Sequence, residues 1–129
     1  MYVYYNPNPT GKIRKGDCVI RAICAATGLG WYEVYDDLCD EGRRLGDWGN
    51  SDSVWGAYLR WLGFVRRSLP NTCPNCYTVE DFALDHQQGT YILGTGSHAV
   101  AVVDGVIYDT WDSSDEVPIF YFERSGNDV

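Results

Sequence analysis

The sequence predicts an α+β domain in which N-terminal helices pack on a small C-terminal antiparallel β-sheet. Residues 17–62 place apolar side chains at helical spacing in three blocks, each closed by a glycine at 28, 46 or 63. Residues 90–122 instead break into short β-branched and aromatic runs divided by glycine- or acid-rich turns. With 129 residues, 45% hydrophobic, 15% aromatic and 22% charged, and no repeat or low-complexity linker, residues 1–129 read as one domain with a dense core.

Residues 1–16 open with aromatic-apolar alternation and then Asn6-Pro-Asn-Pro-Thr-Gly11, so a short strand leads into a loop that no helix can enter. From Cys18, residues Val19, Ile20, Ala22, Ile23 and Ala26 define the first helix, with Asp17 as its N-cap and Gly28 as its stop. Trp31 to Leu45 forms an amphipathic second helix, its acids Glu33, Asp36, Asp37, Asp40 and Glu41 opposite an apolar side. A third helix follows from Asp52 to Leu62. Residues 64–76 hold a short strand and a turn-rich loop, and Thr78-Val-Glu-Asp-Phe82 starts a brief helix with a capping pattern. Four strands are expected at Thr90–Leu93, His98–Val103, Val106–Thr110 and Val117–Phe122, with Glu123 to Val129 frayed.

The formal net charge of −8 argues against nucleic acid and anionic membranes as partners, because both need a Lys/Arg face. No apolar run reaches 18 residues and the N-terminus lacks a signal-peptide pattern, so the expected location is the cytoplasm. Five cysteines cannot all pair within one chain, which also favours a reducing compartment. Cys24 and Cys39 sit at helix positions where a thiol is ordinarily a small packing residue. Cys73-Pro-Asn-Cys76 reads as a plain turn carrying two thiols, able to close as a disulfide on meeting oxidant. Zinc would need two more ligands, and only Cys39 and His86 lie outside the candidate site, so no metal and no cofactor is expected.

Asp104-Gly105 between two apolar runs signals a two-residue hairpin turn. Val103 then pairs with Val106, and each outward step keeps the residue numbers summing to 209. This register makes Asp109 the diagonal neighbour of His98 on one face and puts Trp111 opposite His98, shielding the pair from water. Cys18 stands at a helix N-terminus, where free N–H groups and the helix dipole favour a thiolate and later an oxyanion. These three residues could act as nucleophile, general acid/base and orienting carboxylate. On the blander alternative, Asp109 caps the loop before Asp112-Ser-Ser and His98 is an ordinary strand residue.

Gly16-Asp17-Cys18 opening an apolar helix, Gly96-Ser97-His98-Ala99-Val100 and Tyr108-Asp109-Thr110-Trp111 together resemble the papain-like cysteine peptidase superfamily, in the order Cys, His, Asp/Asn. The resemblance covers roughly residues 8–27 and 90–111 and is closest to compact bacterial and phage members, which include bacteriocin-processing peptidases and cell-wall amidases. It implies a papain-like fold and a cysteine peptidase or amidase with a Cys18-His98-Asp109 triad, cleaving a peptide, isopeptide or related amide bond through a thioacyl intermediate. Transfer of the acyl group to an amine is equally open. Papain-type enzymes carry an oxyanion glutamine six residues before the cysteine, and Lys12 stands there instead. Asn8, or else Asn6, is then the candidate side-chain donor beside the Cys18 backbone N–H.

Gly96 and Ser97, in the turn before His98, are expected to let substrate backbone approach, and Trp48 is expected to face the cleft. The partner would be a peptide or protein, a peptidoglycan peptide included. The alternative from another class is a catalytically silent papain-like fold serving as a phage or host protein-binding module through an aromatic groove. A third reading makes Cys73 and Cys76 a metal or redox centre.

Overall fold

In the computed structural model, residues 1–13 and 15–124 are described, and they form an α+β fold of four helices and one six-stranded mixed sheet. The elements are β1 (Tyr2–Tyr4), α1 (Cys18–Thr27), α2 (Trp31–Leu45), α3 (Asp52–Trp61), β2 (Phe64–Ser68), α4 (Val79–Asp85), β3 (Thr90–Gly94), β4 (Ala99–Val103), β5 (Val106–Asp109) and β6 (Phe120–Arg124). Helices α1 and α2 stop where Gly28 and Gly46 take the left-handed conformation, a geometry that costs a glycine nothing. At α4 the capping box is complete: Thr78 accepts from the Asp81 amide and Asp81 accepts from the Thr78 amide.

The strand order is β1-β5-β4-β3-β6-β2, which corrects the expectation of a purely antiparallel C-terminal sheet. The β4–β5 hairpin leaves one edge of β5 unpaired, and the N-terminal strand β1 covers it in parallel, with Tyr4 beside Asp109. At the opposite edge β2 pairs antiparallel with β6. Strand β6 begins at Phe120, later than expected, since Pro118 has no amide hydrogen for a ladder and Ile119 already donates to Gly94. Glu123 and Arg124 therefore belong to the sheet, and the rest of the segment expected to fray lies outside the described residues. His98 falls just before β4 because its carbonyl accepts from the Thr95 amide at 2.9 Å, closing the β3–β4 turn.

The hairpin register is the expected one, with Val103 against Val106, Val102 against Ile107 and Ala101 against Tyr108. Asp104 and Gly105 both have positive φ, 50° and 77°, as a turn matched to strand twist requires. Side-chain alternation then divides the core. Ile92, Ala99, Ala101, Phe120 and Phe122 face α1, α2 and α3. Leu93, Val100, Val102 and Ile107 face α4 through Val79, Phe82 and Ala83. Helices thus cover both sides of the sheet, and α1 lies against β4 so that its N-terminus meets the end of the sheet where β4 starts and β5 stops.

One close approach tests this packing. A Cβ built on Gly94 would lie 2.2 Å from the Phe120 ring. Gly94→Ala should therefore destabilise the fold by about 1–3 kcal/mol through overpacking. Urea unfolding measures it, and an unchanged midpoint would show that the ring moves aside freely.

Candidate active site

Cys18 is the first residue of α1 and half-buried. It lines a cleft with Val19, Trp55, Gly94, His98 and Phe120. His98 Nε2 lies 2.6 Å from Asp109 Oδ2. An ionised carboxylate only accepts, so Nε2 carries a proton, and Nδ1 is left for the Cys18 thiol, which lines the same cleft. The Trp111 ring sits 5.0 Å from the imidazole, tilted by 41°. It covers His98 as expected while remaining 45% exposed itself. Cys18, His98, Asp109 and Trp111 are thus brought together by two turns of the chain, the helix start and the hairpin.

Asp109 is 2% exposed, and a carboxylate so buried must be satisfied on every side. Its Oδ1 accepts from the Thr110 amide at 2.8 Å and from Arg21 Nη2 at 3.5 Å, and Oδ2 accepts from Ser113 Oγ at 2.8 Å as well as from His98. Arg21 is 5% exposed and spans two carboxylates, with Nη1 on Asp17 and Nη2 on Asp109. Its Nε has no partner among the described residues. Asp17 also accepts from Asn8 Nδ2 at 3.0 Å and from Trp31 Nε1 at 2.9 Å.

This network changes the roles expected of three residues. Asp17 occupies the N-cap position, but its side chain makes no cap hydrogen bond, being held by Arg21, Asn8 and Trp31. Helix α1 therefore starts without a side-chain cap beside Cys18. Asn8 braces the loop: its amide donates to Asp17, and its carbonyl oxygen accepts from both the amide and the hydroxyl of Thr10. Asn6 accepts from the Asn8 amide and reaches Lys12 O at 3.4 Å. Neither lines the cleft, so the expectation of an oxyanion donor from Asn8 or Asn6 is not met by their positions.

Gly96 and Ser97 do line the cleft beside Cys18 and His98. Trp48 does not. It is 82% exposed, and the aromatic wall of the cleft is made by Trp55 and Phe120, with Asn50 and Asp52 at the rim. Trp55 was hidden in the sequence because it reads as one more apolar position of α3. Arg21 had a visible signal: it interrupts an otherwise apolar helix and stands four positions after Asp17, on the same face. Cys73 and Cys76 form a disulfide, the state left open for this turn, in place of two separate thiols. The cleft volume of about 120 Å³ is below the ~300–1,000 Å³ of pockets that enclose small molecules and cofactors, and suits one residue of an extended chain.

The electrostatics follow from the partners. Burial pushes the Cys18 thiol up, but the His98 hydrogen bond, the Ala99 amide and the Arg21 charge outweigh it, and its pKa falls below the ordinary 9.0. Burial would lower His98, yet its bonds to Asp109 and Cys18 raise it to about 9. Asp109 is lowered: burial opposes ionisation, and the His98 and Ser113 hydrogen bonds overcome it. A proton passed from the thiol to the imidazole would leave the charge of the cluster unchanged.

For stability, the His98 contribution is complete below its unfolded value of 6.5 and is lost as pH rises through about 9. The Asp109 contribution is complete above 3.8 and is lost as pH falls below that value. Cys18 acts in the opposite direction to His98, adding stability as pH rises toward 9.0. In an NMR titration the His98 ring protons should shift near pH 9, and the midpoint should fall toward 6.5 in Cys18→Ala with Asp109→Asn. A wild-type midpoint at 6.5 would mean that the ion pair does not form. Arg21→Met should cost about 3–5 kcal/mol in urea unfolding, since it leaves two buried carboxylates facing each other. Compared with family models, with curated proteins and with solved structures, the chain matches none of them.

Proposed function

We propose that this protein is a papain-like thiol hydrolase that cleaves a peptide, isopeptide or related amide bond. The observation that carries the reading is the set Cys18, His98 and Asp109: a half-buried thiol at an uncapped helix start, lining one cleft with an imidazole whose Nε2 lies 2.6 Å from a buried carboxylate. A structural histidine needs a partner. It does not need a carboxylate on one side and a thiol in the same open cleft.

In this reading the Cys18 thiolate attacks the carbonyl carbon, and the negative oxygen of the tetrahedral adduct is met by the first-turn amides of α1. His98 gives the Nδ1 proton to the amide nitrogen, the C–N bond breaks, and the amine leaves a thioester on Cys18. His98 then takes a proton from water as it adds to the thioester, and the acid departs as the thiol is restored. An amine in place of water gives acyl transfer by the same steps. Asp109 fixes the ring and stabilises its cationic form throughout. Trp55, Phe120, Gly96 and Ser97 form the walls against which the substrate chain lies.

A second reading has its own observation. Because Asn8 is committed to Asp17 and Thr10, it does not supply the side-chain oxyanion donor of the papain type, as would hold in a fold kept only to bind a protein partner.

Iodoacetamide alkylation of each cysteine across pH 4–10, read by peptide mass spectrometry, separates the two. Cys18 should react fast well below pH 9.0, Cys39 as an ordinary exposed thiol, and Cys24 scarcely, because burial pushes it up to about 11. His98→Ala should slow Cys18 about tenfold or more near neutral pH, and should lower turnover of any amide substrate by about 10²–10⁴-fold. Equal, slow rates at Cys18 in both proteins would reject the hydrolase and favour the binding module.

A further inference from the structure

The chain carries 18 acidic against 10 basic residues, so an unneutralised pair of arginines beside the cleft calls for an explanation. Beyond Phe120 and Asp52, which close one end of the cleft, a second hollow of about 210 Å³ continues, lined also by Gly56, Arg60, Arg66 and Phe122. Arg60 in turn borders a third hollow with Ala57 and the largely exposed Trp61. Asp52 and Phe120 line both of the first two hollows and Arg60 lines both of the last two, so the three adjoin in a row leading away from Cys18. Arg66 is held by its own packing, its guanidinium 4.5 Å above the Phe120 ring centroid and within 3.4 Å of Ser68 Oγ. Neither Arg60 nor Arg66 has a carboxylate partner among the described residues. The nearby Asp52 is turned to Trp55, whose indole N–H donates to it at 3.0 Å.

Two guanidiniums without a carboxylate partner among the described residues, in a hollow that shares Asp52 and Phe120 with the cleft and on a chain rich in carboxylates, fit an anion delivered from outside. Their planar donors suit a carboxylate, and an extended strand laid over Phe120 would carry one there at ~3.3 Å per residue. We propose that Arg60 and Arg66 form a subsite for a carboxylate on the peptide substrate, placed further along the chain from the bond presented to Cys18. This rests on the hydrolase reading and adds its substrate class: an extended peptide with an acidic residue, followed by an apolar one against Trp61. The selection runs against the protein's net charge, which alone would favour basic or neutral peptides. Asp52 stands at the junction of the two subsites, lining both hollows.

Binding without turnover tests the subsite separately from the chemistry. Alanine octapeptides bearing a neutral dye, with Glu, Gln or Lys scanned through each position, are titrated by fluorescence anisotropy onto the full chain carrying Cys18→Ala. Glu at one or two neighbouring positions should bind about tenfold tighter than Gln, with Lys weakest. Arg60→Gln or Arg66→Gln should reduce the Glu-to-Gln ratio to within about twofold. Arg67→Gln should leave that ratio intact, since Arg67 is already paired with Glu123 at 2.8 Å and borders none of the three hollows. Glu and Gln binding alike at every position, no binding at all, or equal loss in Arg67→Gln would overturn the proposal. A Glu preference with an inert wild-type Cys18 would keep the subsite and reject the hydrolase, and a reactive Cys18 without Glu preference would do the reverse.

Discussion

The site hangs on one buried cation. Arg21 joins Asp17, at the start of α1, to Asp109, at the end of β5, and all three side chains are nearly inaccessible to water. The guanidinium between them pairs with both carboxylates and ties the helix that carries the thiol to the strand that carries Asp109. Asn8, Trp31, Thr110 and Ser113 donate further hydrogen bonds to the two carboxylates, so the network is dense enough to be specific as well as costly to break.

From this follows the division of labour at the cleft. Because Asp17 is engaged sideways, it leaves the first turn of α1 uncapped, and the unsatisfied amides fall beside the thiol where negative charge would develop. Because Arg21 does not absorb both oxygens of Asp109, one oxygen remains for His98, which is raised rather than silenced by its burial. The same helix start therefore gives up an ordinary capping contact and gains an environment suited to an anion.

Much of this was legible before any coordinates. The turn Asp104-Gly105 fixes the register, the register fixes the His98–Asp109 diagonal, and the glycines at 28 and 46 stop helices where the apolar pattern ends. What local pattern could not supply was long-range pairing. Nothing in Tyr2-Val-Tyr4 says that its partner is β5, and nothing in Phe64–Ser68 says that it joins β6, because an edge strand's mate depends on which ladder is left open elsewhere. The same limit explains Asn8 and Trp48. Both were assigned to the cleft from their type and their loop, whereas their directions are set by Asp17 and Thr10 for the one and by solvent for the other. Arg21 lay between the two cases: its oddness was readable in an apolar helix, but its second carboxylate is 88 residues away.

The parallel pairing of β1 with β5 has a consequence for timing. The Asp109 carbonyl accepts from the Tyr5 amide at 2.8 Å and from the Tyr2 hydroxyl, a residue 107 positions distant. Strand β1 thus gains its neighbour only when residues 107 positions further along are in place, and contacts of such separation form late. Until then Cys18 sits on a helix with neither imidazole nor carboxylate near it, and is a thiol like any other. Under the proposed hydrolase reading its reactivity would be a property of the finished fold, and the growing chain would be spared a nucleophile loose among its own amides.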